Sequence, residues 1–302
     1  MDPYAEKPLE CLLLDGKTDL TKVRTIGENG KVLKRTILEE HIILVGQPGD
    51  VFLGHVAPEK KDAKSVAQSI WTFLVEQDDT EDLKVIGGDS TVHNTGHKGG
   101  IFFFIQEWIG HRLLISVCKL HTNELPLRHV IKFLGIPTLS NNKFGGELGE
   151  LICGSIELLP FDPNFERIKD DRVVFPRLPE EIINDLSTDQ RYAYRILALI
   201  MGEDVDLAFL DHKIGDVNHC RWLTTGDRFC SLYVRKHGLV GKNKEVLTLV
   251  VKHSAFHYFP MWFRIKCAPT LLEGPRHVFA GMRTMIYFYM CLLVYFCFLS
   301  AT

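Results

Sequence analysis

The sequence predicts an α/β fold: three antiparallel strands that open a mixed sheet, then alternating helices and strands, then a mostly helical region. Short apolar runs bounded by turn residues come first, and segments with helical apolar spacing then alternate with further short apolar runs. The chain has 302 residues, of which 46% are hydrophobic and 24% charged. This length and composition allow a sizeable buried core.

The antiparallel start rests on three segments near the N-terminus. Leu9–Leu14 is apolar and ends at Asp15-Gly16, which predicts a strand followed by a turn. Residues 36–45 and 51–56 predict two more strands, and the intervening GQPGD is rich in turn formers. The chain therefore begins with three consecutive strands.

Helices and strands alternate after these strands. Residues 62–76 have helical apolar spacing, with Asp62 placed to cap the first turn. The remaining elements are predicted at 83–87 (strand), 99–109 (helix), 113–120 (strand) and 125–134 (helix). This is the chain order of an RNase H-like fold, which we expect over residues 9–140.

The second half is predicted to be mainly helical. Residues 141–180 read as a connector with a proline-bounded charged stretch, and 181–282 as a mostly helical region. Its first helix spans 186–201 and begins at a Ser-Thr-Asp capping sequence. Residues 283–302 form an apolar tail.

Two aspartates suggest a site for divalent cations. In an RNase H-like sheet the first and fourth strands are neighbours, and Asp15 and Asp89 follow these two strands. Paired carboxylates can hold Mg²⁺ or Mn²⁺, and two such ions about 3.5 to 4 Å apart assist phosphodiester cleavage. Asp15-Gly16 alone is far more typical of a turn than of a metal site, and the segment around Asp89 of a helix cap or a phosphate-binding turn, so the prediction depends on their joint placement.

Several segments resemble transposon-derived proteins related to the hAT-like transposases. The likeness covers about residues 9 to 278. The segments that carry it are EEHIILVGQPGDVFLGHV (39–56), GGDSTVHNTGHKGG (87–100), VCKLHTNELPLRH (117–129), LSTDQRYAY (186–194), CRWLTTGDRFCSLYV (220–234) and PMWFRIK (260–266). The resemblance implies metal-dependent DNA strand cleavage and transfer. It also implies that Asp15 and Asp89 are the first two acids of a catalytic triad.

Two short motifs add supporting residues by the same resemblance. Cys118 and His121 are similar to the C/D-x-x-H motif that follows the fifth strand, where both side chains organise the active site. Arg221-Trp222 is similar to an arginine-tryptophan pair near the helical insertion, where an aromatic ring stacks on unpaired DNA. Structural readings stay open: a buried cysteine with a hydrogen-bonded histidine, part of a zinc site, and core packing by the tryptophan.

The third acid has two possible locations. Glu124 lies 35 positions after Asp89 and would complete a triad of the uninterrupted type. In hAT-like enzymes a helical insertion separates these two acids, which would put the glutamate beyond the end of this chain. Glu245 and Glu273 are present, but nothing in their surroundings distinguishes them. Glu124 is therefore the candidate.

Both termini lead us to expect an incomplete or domesticated transposase. Only fourteen residues precede Asp15, too few for an upstream DNA-recognition module, and the resemblance stops before Met285–Leu299, which is apolar and uncharged. We rank a tail without an evolved role above a buried terminal element or a membrane anchor at residues 284–302. Alternatives to the enzyme are a non-catalytic nucleic-acid- or protein-binding protein and a tail-anchored membrane protein.

Charge and cysteine content limit the partners and the compartment. The net charge of −3 gives no overall attraction to nucleic acid, so contact with DNA must come from local basic patches. Eight cysteines without a repeated CxxC pair fit a reducing compartment, and we expect the nucleus. DNA is the expected partner, with a homo-oligomer possible.

Overall fold

The structure is a computed structural model that describes residues 8–26, 30–139, 143–169, 173–217 and 222–267. The chain divides into two compact units, Met1–His121 and Thr122–Thr302. The apolar tail and Arg221 lie outside the described residues. Within the described ranges, no helix is both long and apolar enough to cross a bilayer.

The first unit contains a mixed five-stranded sheet in the order β3-β2-β1-β4-β5. The strands are β1 (Cys11–Ile26), β2 (Val32–Gln47), β3 (Val51–Val56), β4 (Val85–Gly88) and β5 (Leu114–Val117). Strand β2 is antiparallel to both β1 and β3, whereas β1 with β4 and β4 with β5 are parallel. The prediction that the first and fourth strands are neighbours is confirmed.

The first strand is much longer than predicted, because it does not turn at Asp15-Gly16. It continues to Ile26 and pairs with β2 without a slip in register, from Cys11–Gln47 to Ile26–Val32. Pairing with β2 satisfies the hydrogen-bonding groups of the backbone on both sides of Asp15-Gly16. The residues after Gly16 include Thr and Val, which are suited to strands. The predicted turn was therefore wrong, and Asp15 lies within the strand.

Helices cover one face of this sheet. They are α1 (Ala63–Glu76), α2 (Val92–Thr95) and α3 (Ile101–Ile109). Asp62 caps α1 as predicted, since its carboxylate accepts hydrogen bonds from the Ser65 backbone N–H at 2.9 Å and the Ser65 hydroxyl at 2.7 Å. The core between the helices and the sheet includes Leu12, Leu44, Ile70, Ile86 and Phe102, all almost fully buried. Alternation along β1 and β2 thus directs one set of side chains onto the helices.

The fifth strand is shorter than the predicted 113–120, because helix α4 (Lys119–Phe133) begins two residues after it ends. This helix starts earlier than predicted and contains Pro126 in its interior. The division between the two compact units falls within α4.

The second unit is helical in its described parts. Its helices are α5 (Gly146–Cys153), α6 (Glu180–Asp185), α7 (Thr188–Met201), α8 (Trp222–Tyr233), α9 (Gly241–His253) and α10 (Phe259–Cys267). A predicted helix is confirmed in α7, whose Ser187 and Gln190 form a reciprocal capping box. Helix α8 is buried from Thr224 to Tyr233 and forms the centre of this unit.

Two buried arginines tie the surrounding chain to this central region. Arg228 donates to the carbonyl oxygens of Ile152 at 2.5 Å and Gly215 at 2.9 Å, and also to that of Gly154. Arg235, just after α8, donates to the Leu159 carbonyl oxygen at 2.5 Å. The two guanidinium groups therefore hydrogen-bond to carbonyl oxygens at the end of α5 and in the irregular segments of this unit.

Candidate functional site

Asp89 is held in place by the loop that follows β4. Its Oδ1 accepts hydrogen bonds from the Thr91 backbone N–H at 3.0 Å, the Thr91 hydroxyl at 2.7 Å and Asn94 Nδ2 at 2.7 Å. Thr91 also caps the short helix α2, which carries Asn94. The orientation of this carboxylate is thus fixed by three donors from one short segment.

Glycine at positions 87 and 88 allows β4 to lie close to its neighbours. A Cβ on Gly87 would be 2.5 Å from the Ser116 carbonyl oxygen and 2.7 Å from Leu13 Cδ2. A Cβ on Gly88 would be 2.9 Å from the Leu14 carbonyl oxygen. The residues immediately before Asp89 therefore pack against the backbone of the strands on both sides.

Asp15 within β1 and Asp89 just after β4 lie beyond the last residue pair of these two neighbouring parallel strands. The last residue pair between β1 and β4 is Leu13 with Gly87, and each aspartate lies two positions beyond its member of that pair. Asp15 is exposed and Asp89 is partly buried. Strands in a sheet are about 4.8 Å apart, so the fold brings the two predicted acids to one end of the parallel ladder.

The C-x-x-H motif begins beside Asp89. The backbone N–H of Cys118 donates to the Gly88 carbonyl oxygen at 2.7 Å, which ties the start of the motif to the end of β4. Cys118 is partly buried, and His121 is exposed on the first turns of α4. The motif thus follows the strand next to the one that carries Asp89.

Glu124 belongs to the second compact unit, whereas both aspartates belong to the first. It lies on α4 and is partly buried. Burial, with smaller effects from the charges of Glu124 and Asp227, raises the pKa of the Tyr258 hydroxyl, and the neighbouring Asn123 donates to the Tyr258 carbonyl oxygen at 3.0 Å. The residues that the structure shows around Glu124 therefore belong to the helical second unit.

Trp222 begins α8 and is only 7% exposed. Stacking on a nucleic-acid base requires an exposed ring face. In this structure the tryptophan therefore contributes to the packing of the second unit. Arg221, its partner in the motif, is outside the described residues.

Carboxylates are suitable ligands for Mg²⁺ or Mn²⁺, and the Asp15–Asp89 pair offers hard oxygen donors at one strand end. Because one Asp89 oxygen accepts all three of the hydrogen bonds described above, the carboxylate has a fixed orientation toward an ion. Among the described residues, no group of three or more His, Cys, Asp or Glu side chains is placed to hold a metal ion.

A buried carboxyl group in the second unit was missed by the sequence reasoning. Asp227 on α8 is fully buried, and within the described residues neither carboxyl oxygen has a hydrogen-bond partner. Burial, with a smaller effect from the charge of Asp189, raises its pKa well above the usual range. The surrounding TTGDRFC resembles an ordinary amphipathic turn, so the sequence carries no signal that this acid lies inside.

No protein-family model, curated protein or solved structure matches this chain. Its function is therefore inferred from the residues and geometry described above.

Proposed function

We propose that the first unit is an RNase H-like core derived from a hAT-like DNA transposase, and that its chemistry is metal-dependent cleavage of DNA strands. The chain represents an incomplete or domesticated form of such an enzyme. The observation that carries this proposal is that β1 and β4 are parallel neighbours paired as far as Leu13 with Gly87, and that Asp15 and Asp89 each lie two positions beyond that pair.

The sheet topology supports this fold. Three antiparallel strands are followed by two strands parallel to the first, in the order β3-β2-β1-β4-β5, and helices connect the later strands. The resemblance independently implies the same arrangement, with acids after the first and fourth strands. Sheet order and motif positions thus agree on one arrangement.

The residues of the site have distinct roles in this proposal. Asp15 and Asp89 would hold Mg²⁺ or Mn²⁺, which activates a nucleophile and stabilises the leaving oxygen of a phosphodiester. Thr91 and Asn94 fix the Asp89 carboxylate through their hydrogen bonds. Cys118 and His121 organise the end of β5 beside it. A DNA substrate makes the nucleus the corresponding compartment, and Glu124 remains the candidate third acid.

The decisive experiment measures nicking of a supercoiled plasmid by the full-length chain in Mg²⁺, Mn²⁺ or EDTA. We expect metal-stimulated nicking that Asp15→Asn and Asp89→Asn each reduce by more than about 100-fold, the upper limit typical of outer-shell residues. Asp82→Asn, an exposed aspartate just before β4, is the matched control and should leave nicking unchanged. Absence of metal-stimulated nicking, or full nicking by Asp89→Asn, would refute the catalytic proposal.

A second candidate is a non-catalytic DNA-binding protein of the same origin. It is favoured by the assignment of only two of the three predicted acids, Asp15 and Asp89, to the first unit. Salt-sensitive binding of DNA without nicking under any metal would support it. Loss of both nicking and DNA binding would leave a role in protein interaction.

A further inference from the structure

The outer halves of β1 and β2 form a two-stranded ribbon that extends beyond the rest of the sheet. Thr18–Ile26 pairs with Val32–Glu40, whereas β4 pairs only with Cys11–Leu13 of β1, and β3 pairs only with Ile42–Gly46 of β2. At about 3.3 Å per residue the ribbon is roughly 26 Å long. Along this length the two strands have each other as their strand neighbours among the described residues.

One face of the ribbon concentrates positive charge. Alternation places Lys22, Arg24 and Lys34 on the same face, with Arg24 directly opposite Lys34, and all three are exposed. The ribbon as a whole carries four basic and three acidic side chains, but the face with Lys22, Arg24 and Lys34 has one acid, Glu40, at its base. This face is therefore locally basic in a protein whose net charge is −3.

This arrangement does not favour the stability of the ribbon itself. Like charges directly opposite each other on neighbouring strands are destabilising. The repulsion between Arg24 and Lys34 therefore opposes folding. Only an anionic partner would offset this repulsion, by attracting both cations. Charge complementarity thus points to a polyanion.

The exposed apolar residues on the same face raise the alternative of a protein partner. Leu20 and Leu38 lie at the base of the ribbon and Ile26 and Val32 near its tip, on either side of the three cations. Covering the face with an apolar protein surface would desolvate these charges without pairing them, which is costly. Phosphates would pair them, and a two-stranded ribbon fits the major groove of B-DNA.

We propose that this ribbon docks on double-stranded DNA, with Lys22, Arg24 and Lys34 contacting phosphates. The inference deepens the proposed function and rests on it for the choice of DNA, because it names the element that would hold the duplex whose strands are cleaved. The same strand, β1, carries both Asp15 and two of the three cations.

The test measures binding of a fluorescein-labelled DNA duplex to the full-length chain by anisotropy, in EDTA so that no cleavage occurs. For K22Q/R24Q/K34Q we expect the slope of log K against log salt to become shallower by about 2 to 3, since each lost phosphate contact removes roughly 0.9. The matched control is K236Q/K242Q/K244Q, which changes three exposed lysines of the second unit and should keep the slope of the unmodified chain. A melting temperature in both variants no lower than that of the unmodified chain would show that folding is intact.

Three results would overturn the inference. They are an unchanged slope in the ribbon variant, an equal loss in the control variant, and tighter binding of an RNA duplex of the same sequence. Light scattering can give a fourth such result: if the ribbon variant no longer forms an oligomer that the unmodified chain forms, yet retains its DNA affinity, the ribbon is a protein interface.

Asp89→Asn separates the ribbon proposal from the cleavage proposal, because this variant should lose nicking and retain DNA binding. If DNA binding depends on the ribbon but neither the unmodified chain nor any variant nicks DNA, the cleavage proposal is refuted and the ribbon proposal stands.

Discussion

Gly87 occupies a position where the neighbouring backbone leaves room only for hydrogen. A methyl group there would meet the Ser116 carbonyl oxygen, which belongs to β5 and cannot rotate away. For Gly87→Ala we expect a loss of about 1 to 3 kcal/mol in the free energy of unfolding, measured by urea titration, because the strands must separate. Gly99→Ala is the control, since nothing lies within 4 Å of its Cβ position. Equal stability of the two variants would contradict the close approach.

The buried Asp227 should make stability depend on pH. Because burial raises its pKa in the folded state, the folded protein keeps this proton at pH values where the unfolded chain has released it. This group therefore destabilises the fold increasingly as pH rises above about 4, by about 1.4 kcal/mol for each unit by which the pKa is raised. Asp227→Asn, which cannot titrate, should gain stability relative to the unmodified chain over this range.

Chemical denaturation at a series of pH values measures this effect. Asp204→Asn, at an exposed position in the same unit, provides the control and should follow the unmodified chain at every pH. A constant difference in unfolding free energy between Asp227→Asn and the unmodified chain would show that Asp227 ionises normally.

At the scale of single residues, the order of the elements was enough to predict which strands are neighbours, but not the contacts around Asp89. Asp15 and Asp89 follow directly from the order of the elements, since that order makes their strands neighbours. The hydrogen bonds to Asp89 involve Thr91 and Asn94, whose roles depend on a four-residue helix too short to have a detectable period. The burial of Asp227 depends on contacts distant in sequence and could not be predicted locally.

At the scale of elements, α8 depends on a residue that sequence reasoning did not single out. The planar guanidinium of Arg228 reaches several carbonyl oxygens at once, which the single ammonium of lysine cannot do. For Arg228→Lys we expect a loss of about 2 to 4 kcal/mol in unfolding free energy, because buried carbonyl groups lose their donors. Arg264→Lys, at an exposed site on α10, is the control. If Arg228→Lys lowers the unfolding free energy no more than this control does, the Arg228 guanidinium has no stabilising role.

Elements with local end signals were predicted well. The bounds of β3 agree with the prediction, and α1 and α7 begin at the predicted caps Asp62 and Ser187. In contrast, β1 passes through Asp15-Gly16 because its pairing with β2 outweighs the turn preference of those two residues. Tertiary pairing is invisible in a short window of sequence, and this explains the error.

At the scale of the whole molecule, the chain divides into two compact units, and we expect them to unfold in two calorimetric transitions. Gly87→Ala should lower only the transition of the first unit, and Arg228→Lys only that of the second. The unmodified chain scanned at the same rate serves as the reference. A single transition lowered by both variants would mean that the chain unfolds as one cooperative unit.

The unbroken register of β1 with β2 has a consequence for the basic ribbon. Side chains alternate along both strands, so Lys22 and Arg24 have the same phase as Leu12 and Leu14, which are fixed in the core. The hydrophobic interior thus determines on which side of the ladder the cations emerge. Inserting one residue on each strand between the core and the ribbon would leave every core contact in place, yet transfer the cations to the opposite side.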